Sequence, residues 1–342
     1  MNTFNSTPLF GAEGYARLDQ YFQDSTPSKV FFLVDSNTSE CLPRVVSQLP
    51  HLNADYEVLE VDPGEGSKEL EIAASLWQTL LEYGADRHSL LINVGGGMVC
   101  DLGAFIASTF KRGITFVHVP TSLLAMVDAS VGGKNGVNFG GLKNQIGTFH
   151  LPNLVIIDEQ HLTSLPESEW RSGHGEMIKH SLISGSDWPF ILSAQPGQTD
   201  LASIERSVNI KLRVVKDDPH EKGLRKILNF GHTLGHAWES FCQASGQPVP
   251  HGMAVIQGLH LALMLSGQPH LQTELARIYP WNPISEEQAE VLWQLQLGDK
   301  KNEGGTVKFV LLQSLGNPQI DQPVDKELWL QRIQALNQRQ HG

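Results

Sequence analysis

Residues 89–101 read Ser89-Leu90-Leu91-Ile92-Asn93-Val94-Gly95-Gly96-Gly97-Met98-Val99-Cys100-Asp101. A short, nearly continuous apolar run is what a strand buried on both faces of a parallel sheet requires. It ends in three glycines, and a helical pattern follows over 102–110. A helix that opens on bare backbone N–H groups can hold a pyrophosphate at its positive end. The spacing is not GxGxxG, so the ordinary dinucleotide fingerprint is absent, and a plain strand-to-helix turn explains the glycines about as well.

Outward from this stretch, Val30-Phe31-Phe32-Leu33-Val34-Asp35, Ile114-Thr115-Phe116-Val117-His118-Val119-Pro120 and Leu154-Val155-Ile156-Ile157-Asp158 are strands of the same kind, and 67–81 is helical. Apolar strands alternating with helices predict a mostly parallel sheet. From about Pro166 the pattern changes. Residues 167–183, 199–215, 224–241 and 253–265 carry helical periodicity, and only 307–312 reads as a late strand. The expected architecture is an α/β N-terminal dinucleotide-binding domain over 1–165 and a mainly α-helical C-terminal domain over 166–342. Two cores also suit 342 residues. The default ligand site is the cleft between such domains, near the carboxyl ends of the strands.

No window approaches the roughly 18 consecutive apolar residues of a membrane span. Residues 1–8 lack the basic and apolar regions of a secretory signal. Cys41, Cys100 and Cys242 are scattered, the usage of a reducing cytoplasm. The net charge of −12 argues against broad nucleic-acid binding. A small anionic ligand would need its basic partners gathered into one pocket.

Two glycine pairs each precede a lysine: Gly132-Gly133-Lys134, and Gly140-Gly141-Leu142-Lys143-Asn144. They read as flexible loops able to wrap an anion and set a point charge on it. Either lysine alone reads better as a solvated loop residue, and the repetition shifts the balance. In residues 225–236, taken as one helix, Arg225, Asn229, His232 and His236 fall at spacings of 4, 3 and 4 on a single stripe. One cation, one amide and two imidazoles make a poor core face and a poor solvent face, but a good active-site wall. His232 and His236 at i, i+4 can share a metal; without the Glu of HExxH this is not a zincin. Glu176 and His251 are the candidates for a third ligand, and His180, at i+4 from Glu176, leaves the choice open by spacing alone. The plainer alternatives are a helix-start residue for His251 and an exposed partner of Lys179 or His180 for Glu176.

Together these motifs resemble the 3-dehydroquinate synthase family of sugar-phosphate cyclases. The resemblance runs through PGEGSK (63–68), GGGMVCDLGAF (95–105), KRG (111–113), VPTSLLAMVDASVGGK (119–134), LKNQIG (142–147), GEMIK (175–179), GLRKILNFGHTLGHAWE (223–239), HGMAV (251–255) and DKKNEGG (299–305). Nine ordered motifs are far more specific than any one of them. The resemblance implies a Zn²⁺ (or Co²⁺) ion on Glu176, His232 and His251, with His236 beside the substrate phosphate as a proton relay rather than a ligand. It implies NAD held by Asp35, by the Pro63-Gly64-Glu65-Gly66-Ser67-Lys68 turn, by Gly97, Met98, Val99, Cys100 and Asp101, by Thr121, Ser122, Lys134 and Lys143, and by His161-Leu162-Thr163-Ser164. Asp128, Lys134, Asn144, Lys179, Lys211, Arg225, Asn229, Lys300 and Lys301 complete the catalytic set. Arg112 is expected to reach the phosphate from a partner subunit, which implies a homodimer.

The implied reaction turns 3-deoxy-arabino-heptulosonate 7-phosphate into 3-dehydroquinate and phosphate, a lyase step of the shikimate pathway towards chorismate and the aromatic amino acids, in the cytoplasm. Eight basic residues given to one cleft would reconcile an acidic chain with a doubly anionic substrate. Ser122 and Ser164 stand where many relatives have Thr, and Cys100 and Ala104 replace common glycines. Cys100 adds a Cβ beside the expected pyrophosphate, and Asn135 stands where Thr is usual. The nearest rival is another cyclase, acting on an amino analogue or a sedoheptulose or glucose phosphate; substrates without a carboxylate have no use for Lys211 and Arg225. A metal-dependent polyol dehydrogenase is the second, with a ligand set that usually begins with Asp. A non-catalytic binding protein fits poorly with an intact set of ligands and anion groups.

Overall fold

The computed structural model describes residues 6–52, 55–196, 198–298 and 306–339. The chain forms two compact units, Met1–Pro166 with Thr199–Val208, and Glu167–Gln198 with Asn209–Gly342. Lys300 and Lys301 lie outside the described residues.

The first unit holds β1 (Leu9–Phe10), α1 (Ala12–Asp24), β2 (Val30–Asp35), α2 (Leu42–Ser47), β3 (Tyr56–Val61), α3 (Leu70–Glu82), β4 (Leu90–Gly95), α4 (Gly97–Thr109), β5 (Thr115–Pro120), β6 (Lys134–Phe139), β7 (Leu142–Phe149) and β8 (Leu154–Ile157). Six strands form one parallel sheet in the order β1-β8-β5-β4-β2-β3. Every residue of β2 and β4 is buried, as the apolar runs require. Alternate side chains serve opposite faces. Phe31, Leu33 and Leu91 pack with Leu76, Leu80, Phe105 and Ile106 of α3 and α4. Phe32, Val34, Leu90 and Ile92 pack with Tyr15, Leu18, Phe22 and Val45 of α1 and α2.

The strand order reverses between β2 and β4, which opens a crevice at their carboxyl ends. Helix α4 starts at Gly97, directly after the glycine turn and five residues before its apolar periodicity begins. Lys134 and Lys143 correct the expectation of flexible loops. They sit on an antiparallel hairpin, β6 paired with β7, that turns at Gly140 and Gly141. Asn138 ties this hairpin down: its N–H donates to Lys68 O (2.7 Å), its Nδ2 donates to Glu65 Oε1 (3.1 Å), and its Oδ1 accepts from Asn144 N (3.0 Å). Asn135 gains an account here, because its Nδ2 donates to His150 O at 2.8 Å and holds the end of the hairpin.

The second unit contains α5 (Glu167–Ser184), α6 (Trp188–Ser193), the later part of α7 (Leu201–Asp217), α8 (His232–Ala244), α9 (His251–Leu265), α10 (Pro269–Ala276), α11 (Glu286–Leu297), a β9–β10 hairpin (Val307–Ser314, Asn317–Val324) and α12 (Lys326–Arg339). Helix α9 is buried without a break from Ala254 to Met264, the polar Gln257 and His260 included, so it is the central helix. Trp238, Trp281, Trp293 and Trp329 fill the core beside it.

The expected continuous helix over 224–241 is broken. Residues Leu224–Asn229 form a tight 3₁₀ turn, Phe230 leaves helical geometry, and Gly231 takes a left-handed conformation (φ 82°) before α8 starts at His232. Packing against α9 explains the break: a Cβ on Gly231 would lie 2.7 Å from Leu259 Cδ2, and one on Gly258 would lie 1.8 Å from Gly231 O. A second close approach joins α9 to α5. There a Cβ on Gly252 would lie 1.8 Å from Ser172 O, and Gly252 N donates to Ser172 Oγ at 3.0 Å.

Candidate functional site

These two near-contacts set the site, because Gly231 precedes His232 and Gly252 follows His251. Glu176, from α5, is fully buried. Its Oε2 is ion-paired with Lys179 one turn on. Its Oε1 lies 3.6 Å from His232 Nε2 and 3.8 Å from His251 Nε2. Both separations exceed hydrogen-bond length. They are close to the roughly 3.4 Å that separates donors on a tetrahedral zinc with bonds of about 2.1 Å. Among the described residues Glu176 Oε1 accepts no hydrogen bond. A buried acceptor oxygen left without a partner costs about 1–3 kcal/mol.

The tautomers point the same way. His232 Nδ1 faces Phe230 O at 3.3 Å, and His251 Nδ1 faces Glu239 Oε2 at 3.1 Å. An acceptor at each Nδ1 keeps the proton there and turns the Nε2 lone pairs towards Oε1. One carboxylate and two imidazole lone pairs around an orphaned oxygen fit a divalent cation. His236 comes to the same place: its ring centroid lies 5.1 Å from that of His232 and 5.8 Å from that of His251, and one nitrogen from each ring falls within 4.8 Å of the others. Glu176 is thus a buried rather than an exposed partner of Lys179, and His251, which starts α9, also faces Glu176.

Among the described residues of this unit, the cations Lys179, Lys211 and Arg225 are buried. The 3₁₀ turn places Arg225, and Asp218 anchors that turn by accepting the backbone N–H groups of Lys222, Gly223 and Arg225. Arg225 Nη1 donates to Pro219 O at 2.7 Å. Asn229 Nδ2 donates to Glu221 Oε1 at 2.8 Å, an acidic partner the sequence reading passed over. The single stripe survives in part, since Asn229, His232 and His236 line one cavity of about 230 Å³ with Lys226 and Lys308.

In the first unit the expected cofactor residues lie along the carboxyl edge of the sheet. Asp35 ends β2, and its Oδ1 accepts the N–H groups of Asn37 and Thr38 at 3.0 and 2.9 Å. Gly95 ends β4, and Gly96 caps α4 with no side chain over its first N–H groups. Cys100 is fully buried with Sγ turned back towards Gly95 O, and burial raises its thiol pKa. Its side chain therefore packs inward instead of lining the turn. Thr121 and Ser122 follow β5 and are buried.

The Pro63–Lys68 turn follows β3, and Lys68 Nζ meets Asp101 Oδ2 at 2.5 Å. Burial works against the Lys68 charge, yet Asp101 and Glu65 outweigh it and raise the pKa. His161 and Leu162 are buried while Thr163 and Ser164 are exposed, and His161 Nε2 is hydrogen-bonded to Tyr15 Oη at 2.9 Å. Lys134, Lys143 and Asn144 are exposed on the hairpin, and Asp128 lies in a wide helical turn, Ala125–Ala129. Arg112 is exposed just before β5, at the opposite, amino edge of the sheet.

The fold is shared with solved structures. A solved 2-deoxy-scyllo-inosose synthase, complexed with carbaglucose-6-phosphate, NAD⁺ and Co²⁺, superposes with a TM-score of 0.82 at 23% identity over 96% of both chains. The ValA 2-epi-5-epi-valiolone synthase from Streptomyces hygroscopicus subsp. jinggangensis, with NAD⁺ and Zn²⁺ bound, gives 0.80 at 21% identity, over 99% of this chain and 98% of that one. These likenesses carry the fold alone.

Sequence narrows the fold class to one family. Residues 58–172 match the 3-dehydroquinate synthase N-terminal model and residues 173–302 the C-terminal model. A 3-dehydroquinate synthase of Parabacteroides distasonis is 39% identical over 333 residues, covering 93% of this chain and 94% of its own. The chain belongs to the 3-dehydroquinate synthase family.

Proposed function

We propose that this protein is a lyase of the shikimate pathway that converts 3-deoxy-arabino-heptulosonate 7-phosphate into 3-dehydroquinate and phosphate. The substrate is transiently oxidised at a ring hydroxyl, loses phosphate, is reduced again and closes by an intramolecular aldol step. When bound, NAD supplies the reversible hydride transfer and Zn²⁺ or Co²⁺ supplies Lewis-acid polarisation of the reacting hydroxyl. Glu176, His232 and His251 hold the ion. The observation that carries the reading is the orphaned Glu176 oxygen facing two Nε2 atoms, in a unit that also buries Lys179, Lys211 and Arg225.

The remaining roles follow from chemistry. Arg225 and Lys211 take the substrate carboxylate, with Asn229 beside them. His236, Lys134 and Asn144 serve the phosphate and its proton, and Lys300 and Lys301 add charge there. Lys179 is ion-paired with Glu176 Oε2, and Asp128 completes the catalytic set. NAD lies along the carboxyl edge of the sheet, its pyrophosphate at the start of α4 and its other contacts at Asp35, at 63–68, at Thr121 and Ser122, at Lys134 and Lys143, and at 161–164.

Arg112 stands a full strand length, roughly 17 Å at about 3.3 Å per residue, from that edge of its own sheet. This supports a homodimer in which Arg112 serves the neighbour's phosphate. Three cysteines, none in a disulfide, suit the cytoplasm. The test is an assay of purified protein with NAD⁺, Zn²⁺ and the heptulosonate phosphate. Phosphate and 3-dehydroquinate should appear together without net NADH, and a chelator should abolish both. Steady growth of NADH absorbance would refute the reading in favour of a dehydrogenase.

A further inference from the structure

We propose that Glu239 is a positioning residue of the metal site, holding His251 in the tautomer and orientation that make it a ligand. The inference rests on the metal reading above and deepens it. Glu239 lies seven residues after His232 and three after His236 on α8, so the three share one side of the helix. Its Oε2 is 3.1 Å from His251 Nδ1, and its side chain is 14% exposed against 29% for the imidazole. His251 is the first residue of α9, where the backbone is held by the Gly252 N–H donated to Ser172 Oγ. That bond fixes the main chain, and the side-chain contacts set the ring.

A carboxylate accepting from Nδ1–H is such a contact. It selects the tautomer with its lone pair on Nε2, the nitrogen 3.8 Å from Glu176 Oε1, and it makes that nitrogen more basic. His232 meets the same need differently, with the carbonyl of Phe230 at 3.3 Å. A carbonyl two residues away in the chain comes with the fold, whereas Glu239 is a side chain twelve positions from its histidine. The two ligands therefore differ in how easily mutation loosens them. A surface ion pair between Glu239 and a protonated His251 would place the same atoms at the same distance, but a protonated imidazole cannot bind a metal. Metal affinity separates the two cases.

The experiment compares the wild type with Glu239→Gln and Glu239→Asp, titrating Zn²⁺ against a chelating dye and recording the visible spectrum of the Co²⁺-loaded proteins. Glu239→Gln should bind Zn²⁺ about 10- to 100-fold more weakly and shift the Co²⁺ bands. Glu239→Asp should recover part of the loss, and the metal-free melting temperatures should coincide. Affinity of Glu239→Gln within twofold of the wild type would overturn the proposal and leave the metal reading standing. A wild type that binds neither ion would overturn both. Should Glu239→Gln not fold, ¹⁵N spectra of histidine-labelled, metal-free wild type decide: a neutral His251 with its one proton on Nδ1 supports the proposal, and a proton on Nε2, alone or in the imidazolium, defeats it.

Discussion

Arg225 is 3% exposed, and an arginine is buried only where its charge is answered. Its Nη1 reaches the Pro219 carbonyl, and Asp218 fixes the turn that carries it. On the proposed reading Arg225 takes the substrate carboxylate. Arg225→Ala should then lower kcat/KM by about 2–5 kcal/mol, roughly 30- to 4,000-fold, and Arg225→Lys should fall between. Steady-state kinetics with the heptulosonate phosphate check it, and an unchanged kcat/KM would remove Arg225 from the site. At this scale the sequence was legible only in part. HxxxH spacing offered His232 and His236, with Glu176, His251 and also His180 open as a further ligand, because spacing along one helix says nothing about which other helix comes near. Family resemblance implied Glu176, His232 and His251, and the 3.6 and 3.8 Å separations bring these three side chains together. Glu239 and Glu221 were overlooked, since a glutamate on a helix ordinarily reads as a solvated surface residue. Glu239 did carry a signal, its i+7 spacing from His232.

Among the elements, the strands buried on both faces were the easiest to read. The apolar runs of β2, β4, β5 and β8 appear where expected, because such strands need no alternation. Strand β3 was missed: it reads Tyr-Glu-Val-Leu-Glu-Val at the sheet edge, with only Leu59 buried. The β6–β7 hairpin was missed because its polar, glycine-containing residues look like loops and its pairing is visible only in three dimensions. The break at Phe230-Gly231 was missed for a tertiary reason, since apolar periodicity crosses it and only the approach of α9 forbids a straight helix there. The same approach yields a prediction. Gly252→Ala puts a methyl 1.8 Å from Ser172 O, a backbone atom of α5 that cannot move aside cheaply. Helix α9 must withdraw from α5, taking His251 away from Glu176. Stability should fall by about 1–3 kcal/mol or more, as for other overpacked contacts, and Zn²⁺ affinity should fall with it. Urea unfolding and metal titration of the variant measure the two effects, and a variant with native stability and affinity would show that the glycine contact does not set the site.

For the molecule as a whole, two histidines outside the proposed ligand set link stability to pH. His118, inside the parallel sheet, is fully buried, and burial holds its pKa down at about 3; its Nδ1 faces Asn93 Nδ2 at 3.2 Å. His260, in the middle of α9, is lowered to about 4, chiefly by burial, against a partly opposing bond to the Tyr279 carbonyl. In the unfolded chain both return to about 6.5. Between those limits the unfolded state binds more protons than the native one, so acid favours unfolding. Stability is fully present above about pH 6.5 and declines as pH falls towards 4, by about 2 kcal/mol per histidine at pH 5. The ring of His260 donates to the Tyr279 carbonyl and accepts from Gln272 Nε2, two roles a glutamine side chain can also fill. His260→Gln should therefore flatten the pH dependence of unfolding free energy between 6.5 and 5 by one proton's worth, whatever its effect on absolute stability. Urea titrations across that range, with chelator present throughout so that metal loss does not contribute, give the slope for each protein. Equal slopes in the variant and the wild type would mean that His260 is already protonated, or already solvated, in the native fold.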